Sequence, residues 1–225
     1  PELQQINGHE SLRSEAVTQA LAAGTAYLLR FDGGITPPWG EVVGPGAGAA
    51  SLCSVARSST SLDRLRLCRP EVRSWMHYLE ATTVDLSECC GLICGLRGLQ
   101  DMLEDHHDFR PPMQVLVIQG DSKYIVERVQ RWWEDDQQNT DSLTDGWDER
   151  CSAALLAIAD LVKALKQMLP AVPIVFNWAP RKVNRRADKL THDARDTRSA
   201  NIRLHANLLE KLVASTGTST GASRG

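Results

Sequence analysis

The chain lacks a long apolar run. No stretch reaches the roughly 18 residues needed to cross a bilayer, so no transmembrane helix and no membrane partner are expected. It also lacks a charge excess of either sign. Its 25 Lys and Arg face 28 Asp and Glu, giving a net charge of −3. That balance excludes a strongly basic coat for nucleic acid, but not a local basic patch. There is no CxxC pair among the six cysteines, Cys53, Cys68, Cys89, Cys90, Cys94 and Cys151. Three of these fall on one apolar helical pattern. They read as reduced core residues of an intracellular protein, nuclear or cytoplasmic, rather than as zinc ligands or disulfides. Neither an initiator Met nor a signal-peptide pattern stands at the N-terminus, which fits an excised domain or a processed product. No internal repeat is visible.

What the chain does have is apolar content of 42%, enough for a sizeable core, in 225 residues. The run Val115-Leu116-Val117-Ile118 reads as a strand buried on both faces. It ends at Gly120, and Asp121 follows where the next helix begins. In open α/β sheets that edge is where ligands bind. A carboxylate placed there needs a cation or a set of donors.

Around this strand the spacing predicts a strand over Thr25–Phe31, followed by a turn at Asp32-Gly33-Gly34. Strands over Ala49–Val55 and Ser74–Thr82 come next, with a polar loop over 57–72 between them. Three strands in succession suggest an antiparallel meander. Leu92, Leu96, Leu99 and Leu103 recur at helical spacing, predicting a helix over about 86–104 capped by Asp85 or Ser87. Glu88 shares its inward face, an odd place for a charge unless something binds it. Further helices are expected over Ser122–Trp133 and Cys151–Met168, with an acidic loop over 134–149. A last strand covers Val172–Trp178. The basic turn Pro180–Asn184 follows, with Asn184 as cap of a helix bearing Asp188, and a final helix is expected over Ala200–Ala214. The result is a mixed sheet: three antiparallel strands, then parallel crossovers.

Asp32, Glu88, Asp121 and Asp188 therefore stand at element ends or face the core. In such a sheet the first and central strands lie side by side, so Asp32 and Asp121 become neighbours, and Glu88 and Asp188 approach from helices. Crowded carboxylates repel unless cations intervene. Oxygen-only donors select hard ions, chiefly Mg²⁺ or Mn²⁺. Two such ions roughly 4 Å apart can clamp a phosphodiester for in-line attack.

The order of these pieces resembles the type 1 ribonuclease H family, in particular its reverse-transcriptase-like branch. The matching stretches are Phe31-Asp32-Gly33-Gly34, Gly46-Ala47-Gly48-Ala49-Ala50, Ser87 to Leu96 with Glu88, Gly120-Asp121-Ser122-Lys123-Tyr124-Ile125-Val126, and Ala179 to Leu190 with Asp188. The resemblance covers about residues 25–196. It implies a ribonuclease H-like α/β fold, a five-stranded mixed sheet flanked by helices, over 24–196. Around it lie an N-terminal helical extension over 1–23, a C-terminal helix over 197–214 and a disordered tail over 215–225. It also implies an endonuclease that hydrolyses the RNA strand of RNA–DNA hybrids, leaving a 3′-hydroxyl and a 5′-phosphate, with two Mg²⁺ ions that Mn²⁺ can replace. Asp32 would bridge the ions. Glu88 and Asp121 would complete the site on the leaving-oxygen side, and Asp188 would help hold the ion that activates water. Backbone amides near Gly33 and Gly34 and in the Asp121–Ser122 turn would meet 2′-hydroxyls in the minor groove. Lys123, Arg181, Lys182, Asn184, Arg185 and Arg186 are the expected substrate-contacting residues, the basic ones on phosphates.

Two departures stand against this pattern. Many nuclease members carry a His in the loop before the last Asp, where it helps product release, and Pro180–Arg186 contains none. His192 lies four residues after Asp188 on the same helix face, with a plain surface role the favoured reading. The second departure is the long insertion between the second and third strands. A rival reading follows: a catalytically lapsed module of this fold that binds nucleic acid or protein. Another is a nuclease acting on other structured nucleic acids such as DNA junctions. Trp132, Trp133 and Trp147 read as core or interface residues rather than base-stacking platforms, and Asp105-His106-His107-Asp108 as a solvated connector.

Overall fold

The structure, a computed structural model, describes residues 19–20, 22–36, 42–55, 71–105, 109–110, 112–135 and 139–213. Most of the N-terminal extension over 1–23, the His106–Asp108 connector, the 215–225 tail and most of the insertion before the third strand lie outside them.

Five strands form one sheet: β1 (Ala26–Ile35), β2 (Gly44–Ser54), β3 (Glu71–Thr82), β4 (Val115–Gly120) and β5 (Ile174–Trp178), in the spatial order β3-β2-β1-β4-β5. β1, β2 and β3 pair antiparallel, whereas β1–β4 and β4–β5 are parallel. This is the expected mixed sheet, with the first and central strands adjacent. The helices are α1 (Val84–Glu104), α2 (Lys123–Asp135), the short α3 (Asp141–Thr144), α4 (Glu149–Met168), α5 (Arg185–Thr197) and α6 (Ala206–Leu212), with a 3₁₀ turn at Arg181–Val183.

Side chains alternate along β1 and so sort its two faces. Tyr27, Leu29 and Phe31 enter the main core with Ala50, Leu52, Leu116 and Ile118, under Leu92, Ile93, Leu96 and Leu99 of α1. Leu155, Ile158, Val162 and Leu165 of α4 close that core from the far side of α1. Ala26 and Leu28 belong to a smaller cluster with Val55, Val115, Val117 and Val175 on the opposite face. Ala187, Leu190 and Ala194 of α5 are buried as that helix packs across β1 and β2. Cys53, Cys89, Cys90, Cys94 and Cys151 are free and buried, and burial holds the Cys89 and Cys94 thiols well above their ordinary value, as inert core residues require.

The structure corrects several expected boundaries. β1 does not turn at Asp32-Gly33-Gly34 but runs on to Ile35, paired with β2 through Gly33↔Gly48 and Gly34↔Ala47. Gly33 serves close packing rather than a turn: a Cβ there would stand 2.1 Å from the backbone N of Glu88. α1 is capped by Thr83, not by Asp85 or Ser87; Thr83 is extended and its Oγ1 accepts from the Leu86 N–H at 3.3 Å. The 134–149 segment is not all loop, since Asp141–Thr144 is helical, and Asp148 caps α4 by accepting from the Arg150 and Cys151 amides at 2.9 Å. The final helix is shorter than expected. Asn201 is taken instead by the edge of β3, donating its N–H to Met76 O and accepting the Met76 N–H at 2.7 Å.

Candidate metal centre

β1 and β4 run parallel with Phe31 opposite Gly120, so the next residue of each, Asp32 and Asp121, emerges at the same end of the sheet. Glu88 reaches this point from the first turns of α1. The helix comes close because glycine faces glycine-sized space. A Cβ on Gly91 would meet the Asp32 carbonyl oxygen at 2.2 Å, and one on Gly48 would meet the Gly91 N at 2.2 Å. With side chains at these positions α1 would ride higher and carry Glu88 away.

One carboxylate oxygen from each of Asp32, Glu88 and Asp121 lies within 4.8 Å of the other two. Asp32 is 3% exposed and Glu88 8%. Burial, then the charge of Asp121 and more distantly that of Asp188, pushes the Asp32 carboxyl up to about 8. Burial, followed by the charges of Asp32 and Asp121, holds Glu88 well above the usual carboxylate range, against a hydrogen bond from the Gly33 backbone. Glu88 Oε2 is buried and has no hydrogen-bond partner among the described residues. A buried carboxylate oxygen left unmatched beside two more carboxyls is costly. A divalent cation is the natural remedy, and three hard oxygen donors suit it.

Asp188 does not join this tight set. It faces the same cavity of about 440 Å³, together with Asp32, Glu88, Asp121, Arg181 and His192. Its Oδ1 is held by Arg181, whose Nε donates at 3.1 Å and whose Nη2 donates to the same oxygen. His192, half-exposed, also lines the cavity, with Nε2 3.9 Å from that oxygen. Arg195 fixes the imidazole through Nδ1 at 2.6 Å while donating to the Ile35 carbonyl at 2.9 Å.

The remaining expected residues fall into two groups. Gly34 lines the cavity, and Ser122 is half-exposed beside Asp121. Lys182 and Arg185 are exposed, and Lys123 is exposed with Nζ 3.4 Å from Glu127. Asn184 holds the N-cap position of α5 as expected, but its side chain is not placed to contact substrate. It is fully buried, makes no side-chain cap bond, and donates from Nδ2 to Phe31 O at 2.7 Å and Asp121 Oδ1 at 3.1 Å. It thus ties β1 to the Asp121 carboxylate. Arg186 is turned to the other side and paired with Glu71 of β3, its Nη2 2.9 Å from Oε1. Trp132 is fully buried, and half-buried Trp147 packs on Tyr124 with ring centroids 4.9 Å apart. Thr191 and Arg195 were missed by sequence reasoning. Both lie on the α5 face of Asp188, at i+3 and i+7, a spacing that could have revealed them.

No family model matches the sequence, and no curated protein matches it either. Solved structures do. The N-terminal RNase H domain of a Mycobacterium tuberculosis protein, solved as a fusion with maltose-binding protein, is 20% identical, covering 77% of this chain and 95% of that one, with a TM-score of 0.49. LC11-RNase H1, in complex with an RNA/DNA hybrid, is 19% identical over 76% of this chain and 98% of that one, TM-score 0.49. LC9-RNase H1, described as a type 1 RNase H with the type 2 active-site motif, is 15% identical over 84% of this chain and 86% of that one, TM-score 0.51. At such identities the likeness speaks to architecture. Taken with the strand order and the parallel β1–β4 pairing, it establishes that the chain has the ribonuclease H fold, with an acidic cluster at one end of its sheet.

Proposed function

We propose that this chain is a metal-dependent endonuclease that hydrolyses the RNA strand of RNA–DNA hybrids, with two Mg²⁺ ions as its cofactors and Mn²⁺ able to replace them. The observation that carries the reading is the buried, partnerless Glu88 Oε2 beside Asp32 and Asp121, on the fold of ribonuclease H. Asp32, Glu88 and Asp121 would hold one ion, and Asp188, across the cavity, would share in a second with Asp32. When bound, such ions supply Lewis-acid stabilisation of the leaving oxygen and lower the pKa of the attacking water.

The chain's own groups do the rest. Asp32, its carboxyl pushed up to about 8, would have to be ionised to hold a cation. Asn184 fixes Oδ1 of Asp121 from its buried position. The backbone at Gly34 and in the Asp121–Ser122 turn would meet ribose 2′-hydroxyls, the groups that distinguish RNA from DNA. Lys123, Lys182 and Arg185, all exposed, would be the phosphate contacts. The test is cleavage of a labelled RNA–DNA hybrid in millimolar Mg²⁺, compared with duplex RNA and duplex DNA. The hybrid alone is cut, and cutting disappears in EDTA and in Asp121→Asn. A hybrid left intact by the wild-type chain refutes the nuclease reading and leaves the lapsed-module alternative.

A further inference from the structure

Asp188 is already partnered, and by a cation. Arg181 lies in the 3₁₀ turn between β5 and α5, seven residues before Asp188, and aims two guanidinium donors at Asp188 Oδ1. His192 approaches the same oxygen. The guanidinium lines the cavity shared with Asp32, Glu88 and Asp121, so its charge sits among the carboxylates where a second divalent ion would sit. Its side chain is nevertheless 71% exposed. It has little packing to lose and a clear path to solvent, unlike the buried Asn184 amide that holds Asp121. An exposed ion pair of this kind is weak and readily exchanged.

Building on the metal reading of this site, we propose that Arg181 is a resident counter-cation that competes with a divalent ion for Asp188. The two halves of the site then fill in sequence. Asp32, Glu88 and Asp121 take an ion first, since among the described residues no basic side chain is ion-paired with them. The Asp188 half fills only when Arg181 yields the oxygen, and so at a higher ion concentration.

Calorimetric titration of the full chain with Mn²⁺ tests this, using wild type, Arg181→Gln, Lys182→Gln and each of these substitutions combined with Asp188→Asn. Lys182 is exposed on the same turn, and its loss removes the same unit of charge without touching Asp188. The wild type shows a tight and a weaker step. Arg181→Gln shifts the weaker step to lower Mn²⁺ by roughly three- to tenfold. Lys182→Gln shifts it clearly less, and Asp188→Asn abolishes the effect of Arg181→Gln. An equal shift in both charge-removing variants, no shift in Arg181→Gln, or a shift that persists with Asp188→Asn overturns the proposal. If the wild-type chain binds no Mn²⁺ at all, the proposal and the metal reading beneath it both fall. Thermal melts of the metal-free variants confirm that each remains folded.

Discussion

At Asp32 two costs coincide: a carboxyl removed from water, and a second carboxyl beside it. Both favour the protonated form, which is why the group titrates near 8 rather than at its ordinary 3.8. Between those values the folded, metal-free chain holds a proton that the unfolded chain has released. The contribution of Asp32 to stability is therefore full below 3.8 and is lost as pH rises through about 8. Cation binding must expel that proton. Mn²⁺ affinity should accordingly rise with pH by up to about tenfold per unit below 8, flattening above it, as read by calorimetry in buffers of different ionisation enthalpy. Asp32→Asn should remove the stability loss between pH 5 and 8 in metal-free melts. Asn184 makes a second residue-scale case. It sets one Asp121 oxygen from a position no solvent reaches, so Asn184→Ala should lower Mn²⁺ affinity by about ten- to a hundredfold, as loss of a ligand-orienting partner does.

The element that positions the site is α1. Its approach to β1 and β2 depends on Gly91 meeting the Asp32 carbonyl and on Gly33 lying beneath Ser87 and Glu88. Gly91→Ala places a methyl group 2.2 Å from a backbone oxygen that cannot move without shifting β1. We expect it to destabilise the chain by about 1–3 kcal/mol in chemical denaturation, as overpacking does, and to weaken Mn²⁺ binding because Glu88 is lifted from Asp32. The sequence read the glycines here only partly. Asp32-Gly33-Gly34 has the composition of a turn, and turn chemistry is local, whereas the real reason for Gly33 is a helix arriving from more than fifty residues away. The α1 core face and the β4 run were legible because hydrophobic period alone specifies them. Thr83 as cap and Asn184 as a strap were not. A short polar side chain can bond its own helix end or a distant carboxylate, and spacing does not say which.

Across the whole molecule, the net charge of −3 conceals charges sorted along the chain. The turn and helix over 181–198 carry Arg181, Lys182, Arg185, Arg186, Lys189, Arg195 and Arg198, against three aspartates. The acidic 134–149 stretch, between β4 and β5 in the chain, holds the opposite sign. A nucleic-acid backbone would be drawn to the exposed cations of the former stretch and repelled from the latter. The mixed sheet, the adjacency of β1 and β4 and the convergence of Asp32, Glu88 and Asp121 followed from strand patterning and element ends, so that much of the architecture and three of the cavity's carboxylates were readable in advance. The fourth, Asp188, shares the cavity as expected but is held by Arg181, a pairing that depends on how one turn folds back over its helix. The most direct measurement is an anomalous-scattering map from crystals soaked in Mn²⁺. A peak about 2.1 Å from carboxylate oxygens of Asp32, Glu88 and Asp121 is the predicted result. A map with no peak among those three side chains, in crystals where Mn²⁺ is seen elsewhere, would contradict it.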